Sequence, residues 1–146
     1  MNRIRRANKK DLGRIAEIEV FNYRLNFYPI FQNDEFYFGE LQVMEMAKEY
    51  AGLLESIWVY DDGAVKAFMQ IEAREIKKLF VEPVLQGKGI GTALIGHAMK
   101  EMDARFLWAL EKNQRAITFY ERQGFHKTDD RRLEEGTDEY LIRLER

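Results

Sequence analysis

The sequence predicts an α/β fold in which a mixed sheet carries helices on both faces. Apolar residues recur with the helical period in several segments, and other apolar runs are short, alternating or bounded by turn residues, as strands are. The resulting order is strand, two helices, three strands, helix, strand, helix, two strands, which is typical of layered α/β domains. With 146 residues and no linker-like stretch, residues 1–146 are predicted to form one domain.

The first elements are a short strand and two helices. "IRRA", residues 4–7, is the strand candidate, and Asn8 can cap a helix that has Asp11 at its third position and ends at about Tyr23. Its stripe near the 3.6-residue period consists of Leu12, Ile15, Ala16 and Ile18. A second helix is expected from about Gly39 to Tyr50. Residues 21–38 hold eight of the nineteen aromatic residues.

The middle of the chain predicts three strands. "SIWVY" and "AVKAFMQIEA" flank "DDG", and the pair Asp62-Gly63 supplies the positive φ angles of a tight hairpin turn. "EIKKLFV", residues 75–81, follows almost at once as the third strand of this group.

The second half alternates helices and strands. After Gly89 a helical stripe is formed by Ile90, Ala93, Leu94, Ala98 and Met102. "RFLWAL" is a strand whose continuous apolar character predicts burial on both faces. A helix from about Gln114 to Gln123 ends at Gly124, a residue type that favours left-handed helix termini. "FHKTDDRRL" and "TDEYLIRLE" form the last two strands, joined by the turn "EEG".

Composition excludes several classes of protein. The chain has 23 Lys and Arg against 25 Asp and Glu, so overall charge does not support a nucleic-acid partner. No apolar run reaches the length of a membrane span, and no apolar stretch follows the basic N-terminus as in a signal peptide. We therefore expect a cytoplasmic protein without membrane or nucleic-acid partners.

The absence of cysteine limits the chemistry further. It excludes disulfides, thiolate metal sites and a covalent cysteine nucleophile. The two histidines, His97 and His126, are too few for a zinc site, so no metal is expected.

A glycine cluster, "QGKGIG" at residues 86–91, separates the strand "EIKKLFV" from the next helix. Backbone N–H groups at a helix N-terminus attract phosphate oxygens, and Lys88 adds a positive charge. The dinucleotide pattern G-x-G-x-x-G and the Walker pattern G-x-x-x-x-G-K-[ST] both fit poorly. Taken alone, the loop is explained equally well by an anion site or by a plain strand-to-helix turn.

The helix after "RFLWAL" brings a second set of residues onto one face. Asn113, Ala116, Ile117 and Tyr120 are spaced i, i+3, i+4 and i+7, so Asn113 and Tyr120 can face the same ligand. The alternative is that Asn113 caps the helix and Tyr120 fills the core.

Together these segments resemble the GNAT superfamily of acyl-CoA-dependent N-acetyltransferases. "QGKGIG" is similar to its Q/R-x-x-G-x-G/A signature, "EIKKLFVEP" to its fourth strand and "LEKNQRAITFYERQGF" to its second cofactor motif. The element order also matches across nearly the whole chain, although the aromatic segment 21–38 matches only in position. The resemblance implies a three-layer α/β/α fold with a mostly antiparallel sheet of six to seven strands, splayed between the fourth and fifth.

The resemblance also implies acetyl-CoA as the acyl donor and assigns its contacts. The loop amides would hold the pyrophosphate, and the fourth strand would pair with pantetheine. The implied pyrophosphate contacts are Gln86, Gly87, Lys88, Gly89, Ile90, Gly91 and Thr92. The implied pantetheine contacts are Leu79, Phe80 and Val81, and Asn113, Ala116 and Tyr120 complete the cofactor set.

For catalysis, the resemblance implies that Tyr120 protonates the departing thiolate and that Glu75 takes the proton of the amine, directly or through water. Glu72 is a second candidate base, and Glu75 alternatively pairs with Lys77 or Arg74 at a strand edge. With no cysteine, we expect direct attack in a ternary complex.

The acceptor is an amine of a small molecule or peptide that the sequence does not identify. The family position of the acceptor falls here on residues 21–38 and on the acidic turn with Glu134, Glu135, Asp138 and Glu139, which suits a cationic amine. The alternative is that the aromatic residues of 21–38 fill the core and the acidic residues form a solvated turn. Asn22, Arg24 and Asn26 could instead select an acidic or peptide acceptor. A non-catalytic acyl-CoA sensor and a nucleotide-binding domain stay open, as does a homodimer.

Overall fold

The computed structural model describes residues 2–146, which form seven strands and five α-helices. The strands are β1 Ile4–Arg6, β2 Ile57–Asp61, β3 Val65–Glu72, β4 Glu75–Val81, β5 Phe106–Leu110, β6 His126–Leu133 and β7 Tyr140–Glu145. The helices are α1 Leu12–Asn26, α2 Tyr28–Phe31, α3 Val43–Tyr50, α4 Ile90–Met102 and α5 Gln114–Arg122. The predicted order of elements is confirmed except for the short helix α2, which was not predicted from the sequence.

The strands form one sheet in the order β1-β2-β3-β4-β5-β7-β6. The pairs β1–β2, β2–β3, β5–β7 and β6–β7 are antiparallel, and β4–β5 is parallel. In the part of the chain described, β4 and β5 pair only at Glu75 with Phe106 and at Ile76 with Leu107. The sheet is therefore mixed, and its pairing ends early between the fourth and fifth strands, as predicted.

Internal contacts divide the chain into two compact units. The first comprises residues up to Gln70 together with Lys78–Leu94, and the second comprises Ile71–Lys77 and Ile95–Arg146. The core of the first unit is built from apolar residues of α1, α3, β2 and β3. Its buried members are Ala7, Ile15, Ile18, Tyr50, Ile57, Val59, Val65 and Phe68.

The aromatic segment forms a smaller cluster of its own in the first unit. Val20, Tyr37 and Leu41 are its buried members, and a π-helical turn over Glu35–Glu40 supplies Tyr37. Rings packed against this cluster include those of Tyr23, Phe27, Tyr28, Phe31 and Phe36. Most of the segment therefore fills a core, while Phe21 and Phe38 stay exposed.

The second unit has buried residues of its own on α4, α5, β5 and β7. Its large, fully buried side chains include Ile95, Leu107, Ile117, Phe125 and Leu144. The Tyr120 ring packs edge-on against Phe125, with centroids 6.0 Å apart. Gly124 ends α5 with a φ of 102°, the left-handed conformation that its position predicted.

Two predicted boundaries are wrong for local reasons. The first helix continues to Asn26 rather than Tyr23, because the backbone N–H of Phe27 still bonds to the Tyr23 carbonyl. The second begins at Val43 rather than Gly39, because Gly39 belongs to the π-helical turn. In the β2–β3 hairpin, Gly63 has positive φ but Asp62 does not, so only one of the two predicted positive φ angles is present. The Asp61 side chain accepts a hydrogen bond from the Gly63 N–H.

Candidate active site

The glycine loop lies between β4 and α4 in the first unit. Gly87 and Gly89 have φ values of 80° and 85°, which residues with a Cβ rarely adopt. A Cβ at either position would meet no atom within 4 Å, so the backbone turn, not crowding, requires glycine. α4 starts at Ile90, directly after this turn, and its first-turn N–H groups are the natural place for an anion.

Side chains from α1 tie this loop to the end of β4. The Gln86 amide donates to the Asn22 side-chain oxygen at 3.1 Å and to the Val81 carbonyl at 3.4 Å. Asn22 also donates to the Val81 carbonyl, at 2.9 Å, and is only 1% exposed. Asn22 is thus a buried anchor of the loop rather than an acceptor-selecting residue. The sequence signal for the burial of Asn22 is its position seven residues after Ile15, which places it on the same face of the helix as the apolar stripe.

The strand residues expected beside pantetheine have distinct environments. Phe80 packs against the rings of Tyr23, Phe27 and Phe68, with centroid distances of 5.7, 6.5 and 5.9 Å. Leu79 is partly buried and Val81 is buried. Because the Val81 carbonyl already accepts two side-chain hydrogen bonds, a ligand at this residue would use its N–H group.

In the second unit, α5 presents the predicted set of residues. Asn113 caps the helix, since its side-chain oxygen accepts the Ala116 N–H at 3.3 Å. Tyr120 is 9% exposed and packs against Phe119 and Phe125. Burial raises the pKa of the Tyr120 phenol above its ordinary value of 10, so the phenol is protonated at neutral pH.

The two candidate bases flank the turn between β3 and β4. Glu75 is the first residue of β4, and its side chain lies 3.6 Å from the Lys77 ammonium. Glu72, the last residue of β3, is exposed. Ala73 and Arg74 between them both have positive φ, 48° and 68°, so a tight turn joins the two strands.

The residues considered for acceptor selection are partly engaged elsewhere. The Arg24 guanidinium donates to the carbonyls of Tyr37 and Leu41, at 3.0 and 3.2 Å, and so holds the aromatic segment. Asn26 donates to the side chain of Asn22 at 3.3 Å. In the acidic turn, Glu139 pairs with Lys112 at 2.8 Å.

A family model described as "Acetyltransferase (GNAT) domain" matches residues 54–127. This range contains β4, the glycine loop, α4 and α5. The chain belongs to the GNAT acetyltransferase family. The resemblance carried by "QGKGIG" and "LEKNQRAITFYERQGF" is thereby confirmed.

Curated relatives cover this GNAT chain in part. The peptidyl-lysine N-acetyltransferase YiaC of Escherichia coli is 39% identical over 74 residues, which are 49% of this chain and 51% of YiaC. An uncharacterized N-acetyltransferase of Methanocaldococcus jannaschii is 41% identical over 63 residues, 40% of this chain and 28% of that protein. The matches thus span about half the length of these relatives or less.

Solved structures share the fold of this GNAT chain along its length. The apo form of E. coli YjaB aligns with a TM-score of 0.75 and 22% identity, over 97% of this chain and 95% of YjaB. The PaiA N-acetyltransferase of Thermoplasma acidophilum, solved with coenzyme A, aligns with a TM-score of 0.76 and 18% identity, over 98% of both chains. Among residues 2–146, no helix has the length and apolar character that a membrane span requires.

Proposed function

We propose that this chain transfers an acetyl group from acetyl-CoA to a primary amine, by direct attack of the amine in a ternary complex. The observation that carries the proposal is the loop in which Gly87 and Gly89 turn the backbone into the first turn of α4. Such a turn presents N–H groups to a pyrophosphate. Because relatives are named peptidyl-lysine N-acetyltransferases, we take the lysine side chain of a peptide or protein as the preferred acceptor.

The donor would be held by the first unit. The N–H groups of residues 86–91 and Thr92 receive the pyrophosphate in this proposal, and the exposed Lys88 adds a positive charge. Pantetheine pairs with the part of β4 that follows Ile76, where pairing with β5 has ended. Leu79, Phe80 and the N–H of Val81 are the contacts proposed there.

The second unit would supply the proton transfers. Tyr120 is the proposed proton donor to the departing thiolate, because its phenol is protonated at neutral pH. Glu75 is the proposed base for the amine, directly or through a water, with Glu72 as the second candidate. Asn113 and Ala116, on the same face of α5, are proposed to contact the donor. The absence of cysteine supports direct attack over an acyl-cysteine intermediate.

Amine-dependent release of CoA thiol from acetyl-CoA tests the proposal. We expect release with a lysine peptide and none without an amine. If CoA binds while no amine in a broad panel causes release, the non-catalytic acyl-CoA sensor replaces the enzyme. If ATP or NAD raises the melting temperature more than acetyl-CoA does, the donor assignment is wrong.

A further inference from the structure

Three polar side chains form a closed hydrogen-bonded cluster in the first unit. The Glu19 Oε1 atom on α1 accepts hydrogen bonds from the Lys78 ammonium at 2.7 Å and the Tyr50 hydroxyl at 2.6 Å. The Lys78 ammonium also donates to the Tyr50 oxygen at 2.8 Å. Helices α1 and α3 and strand β4 thus meet at one carboxylate.

The Glu19 carboxylate is buried, and one of its two oxygens accepts no hydrogen bond from the residues described. Glu19 is 0% exposed, and its Oε2 atom has no hydrogen-bond partner within residues 2–146. A buried carboxylate oxygen without a donor is costly, so a further N–H group at this place would be favoured. The Lys78 side chain is partly exposed, at 29% against 0% for Glu19.

The walls of the cluster are aromatic. The Lys78 nitrogen lies 5.1 Å from the centroid of the Tyr50 ring and 6.0 Å from that of Tyr23. Phe80, two residues further along β4, extends the same aromatic surface through its contact with Tyr23. A carboxylate, a phenol oxygen and ring faces are together the groups that recognise a primary ammonium on an apolar chain.

We propose that the cluster of Glu19, Tyr50 and Lys78 is the binding site for the primary alkylammonium of the acceptor, with Lys78 occupying the position of an acceptor lysine. The inference deepens the proposed function and rests on it. An incoming lysine ammonium displaces the partly exposed Lys78 and bonds to both oxygens of Glu19. It gives a proton to the base proposed above before the neutral amine attacks the thioester. Because Lys78 is tethered beside the site, it competes at high effective concentration and weakens the apparent affinity for acceptors.

A binding experiment without acetyl-CoA tests the site itself. Lys78→Ala removes the resident ammonium and leaves room for the probe n-butylammonium chloride. We expect the melting temperature of Lys78→Ala to rise with butylammonium concentration, and not with equal sodium chloride. The double variant Lys78→Ala/Glu19→Gln should show no such rise. No butylammonium-specific rise in a folded Lys78→Ala variant would overturn the site.

Steady-state kinetics test the acceptor role. We expect Lys78→Ala to lower the KM for n-butylamine and for a lysine peptide about tenfold, because the internal competitor is gone. Glu19→Gln should raise the acceptor KM about tenfold with an unchanged KM for acetyl-CoA. Lys66→Ala is the matched control, since Lys66 is ion-paired to Asp62 at 2.9 Å in the β2–β3 hairpin. Both KM values should stay unchanged in this variant.

A purely structural ion pair gives a different result. Butylammonium would then restore the stability of Lys78→Ala without any change in the acceptor KM, and this outcome overturns the acceptor role. If Lys78→Ala does not fold, Glu19→Gln decides, because an unchanged acceptor KM in that variant also contradicts the proposal. Absence of acetyl transfer by the wild-type chain would overturn the proposed function, whereas the butylammonium shift would still report the ammonium site.

Discussion

At the scale of single residues, Gly89 links the backbone of the loop to donor binding. Its φ of 85° costs a residue with a Cβ about 1–2 kcal/mol. We expect Gly89→Ala to lower the free energy of unfolding by that amount and to weaken acetyl-CoA binding at least about tenfold, measured by denaturant unfolding and calorimetry.

Gly96 provides the matched control for this change. It lies inside α4, and an added Cβ there meets no atom within 4 Å. Gly96→Ala should raise the free energy of unfolding by up to about 1 kcal/mol and leave acetyl-CoA affinity unchanged. Equal acetyl-CoA affinity in Gly89→Ala and wild type would show that the loop does not hold the donor.

Tyr120 carries the prediction for proton transfer. Removing its hydroxyl should lower kcat about 100-fold or more with little change in the KM for acetyl-CoA, because the phenol acts on the leaving thiolate. The measurement is steady-state kinetics of Tyr120→Phe, with Tyr140→Phe as the control at an exposed tyrosine of β7. Wild-type turnover in Tyr120→Phe would remove Tyr120 from the proposed role.

At the scale of elements, the entry into α1 depends on a capping box joined to an ion pair. The Asn8 side chain accepts the Lys10 N–H, and the Asp11 side chain accepts the Asn8 N–H. The Arg5 guanidinium donates twice to Asp11, at 2.8 and 3.0 Å. These bonds from Arg5, above all, lower the pKa of the Asp11 carboxyl below its ordinary value of 3.8.

A lowered carboxyl pKa fixes the sign of the pH dependence. The stabilisation by Asp11 is fully present above its unfolded pKa and is lost as pH falls through the lower folded pKa. We expect Asp11→Asn to lower the free energy of unfolding by roughly 1–2 kcal/mol at pH 7, and the difference from wild type to shrink as pH falls below the ordinary carboxyl pKa of 3.8.

Chemical denaturation across this pH range measures the effect. Asp129→Asn, at an exposed position of β6, is the control that changes the same charge and should have little effect. A pH-independent difference between wild type and Asp11→Asn would contradict the role of the Asp11 charge.

Elements with local signals were predictable from the sequence. The strand "EIKKLFV" and the end of α5 at Gly124 follow from apolar patterning and from glycine chemistry. The segment 27–40 was not predictable, because its short α-helix and π-helical turn are held by ring packing and by Arg24 bonds to the carbonyls of Tyr37 and Leu41. Such contacts are set by tertiary structure rather than by local propensity.

At the scale of the whole molecule, one part of the candidate site has a signal in the sequence and another part arises only through folding. The glycine loop and the α5 face have recognisable spacings in the sequence, and the family resemblance implied their cofactor roles, which stay predictions. The cluster of Glu19, Tyr50 and Lys78 has no motif, since its members are separated by 31 and 28 residues and meet only through folding. Glu19 could be suspected only as a charged residue beside the apolar stripe of α1.

We propose that this GNAT-family chain acetylates amines with acetyl-CoA. The most direct measurement is mass spectrometry of a lysine peptide incubated with the chain and acetyl-CoA labelled with ¹³C in the acetyl group. We predict a labelled acetyl group on the lysine Nε atom, dependent on the chain and strongly reduced with Tyr120→Phe. An unmodified peptide and a panel of unmodified small amines, under conditions in which acetyl-CoA binds, would contradict the claim.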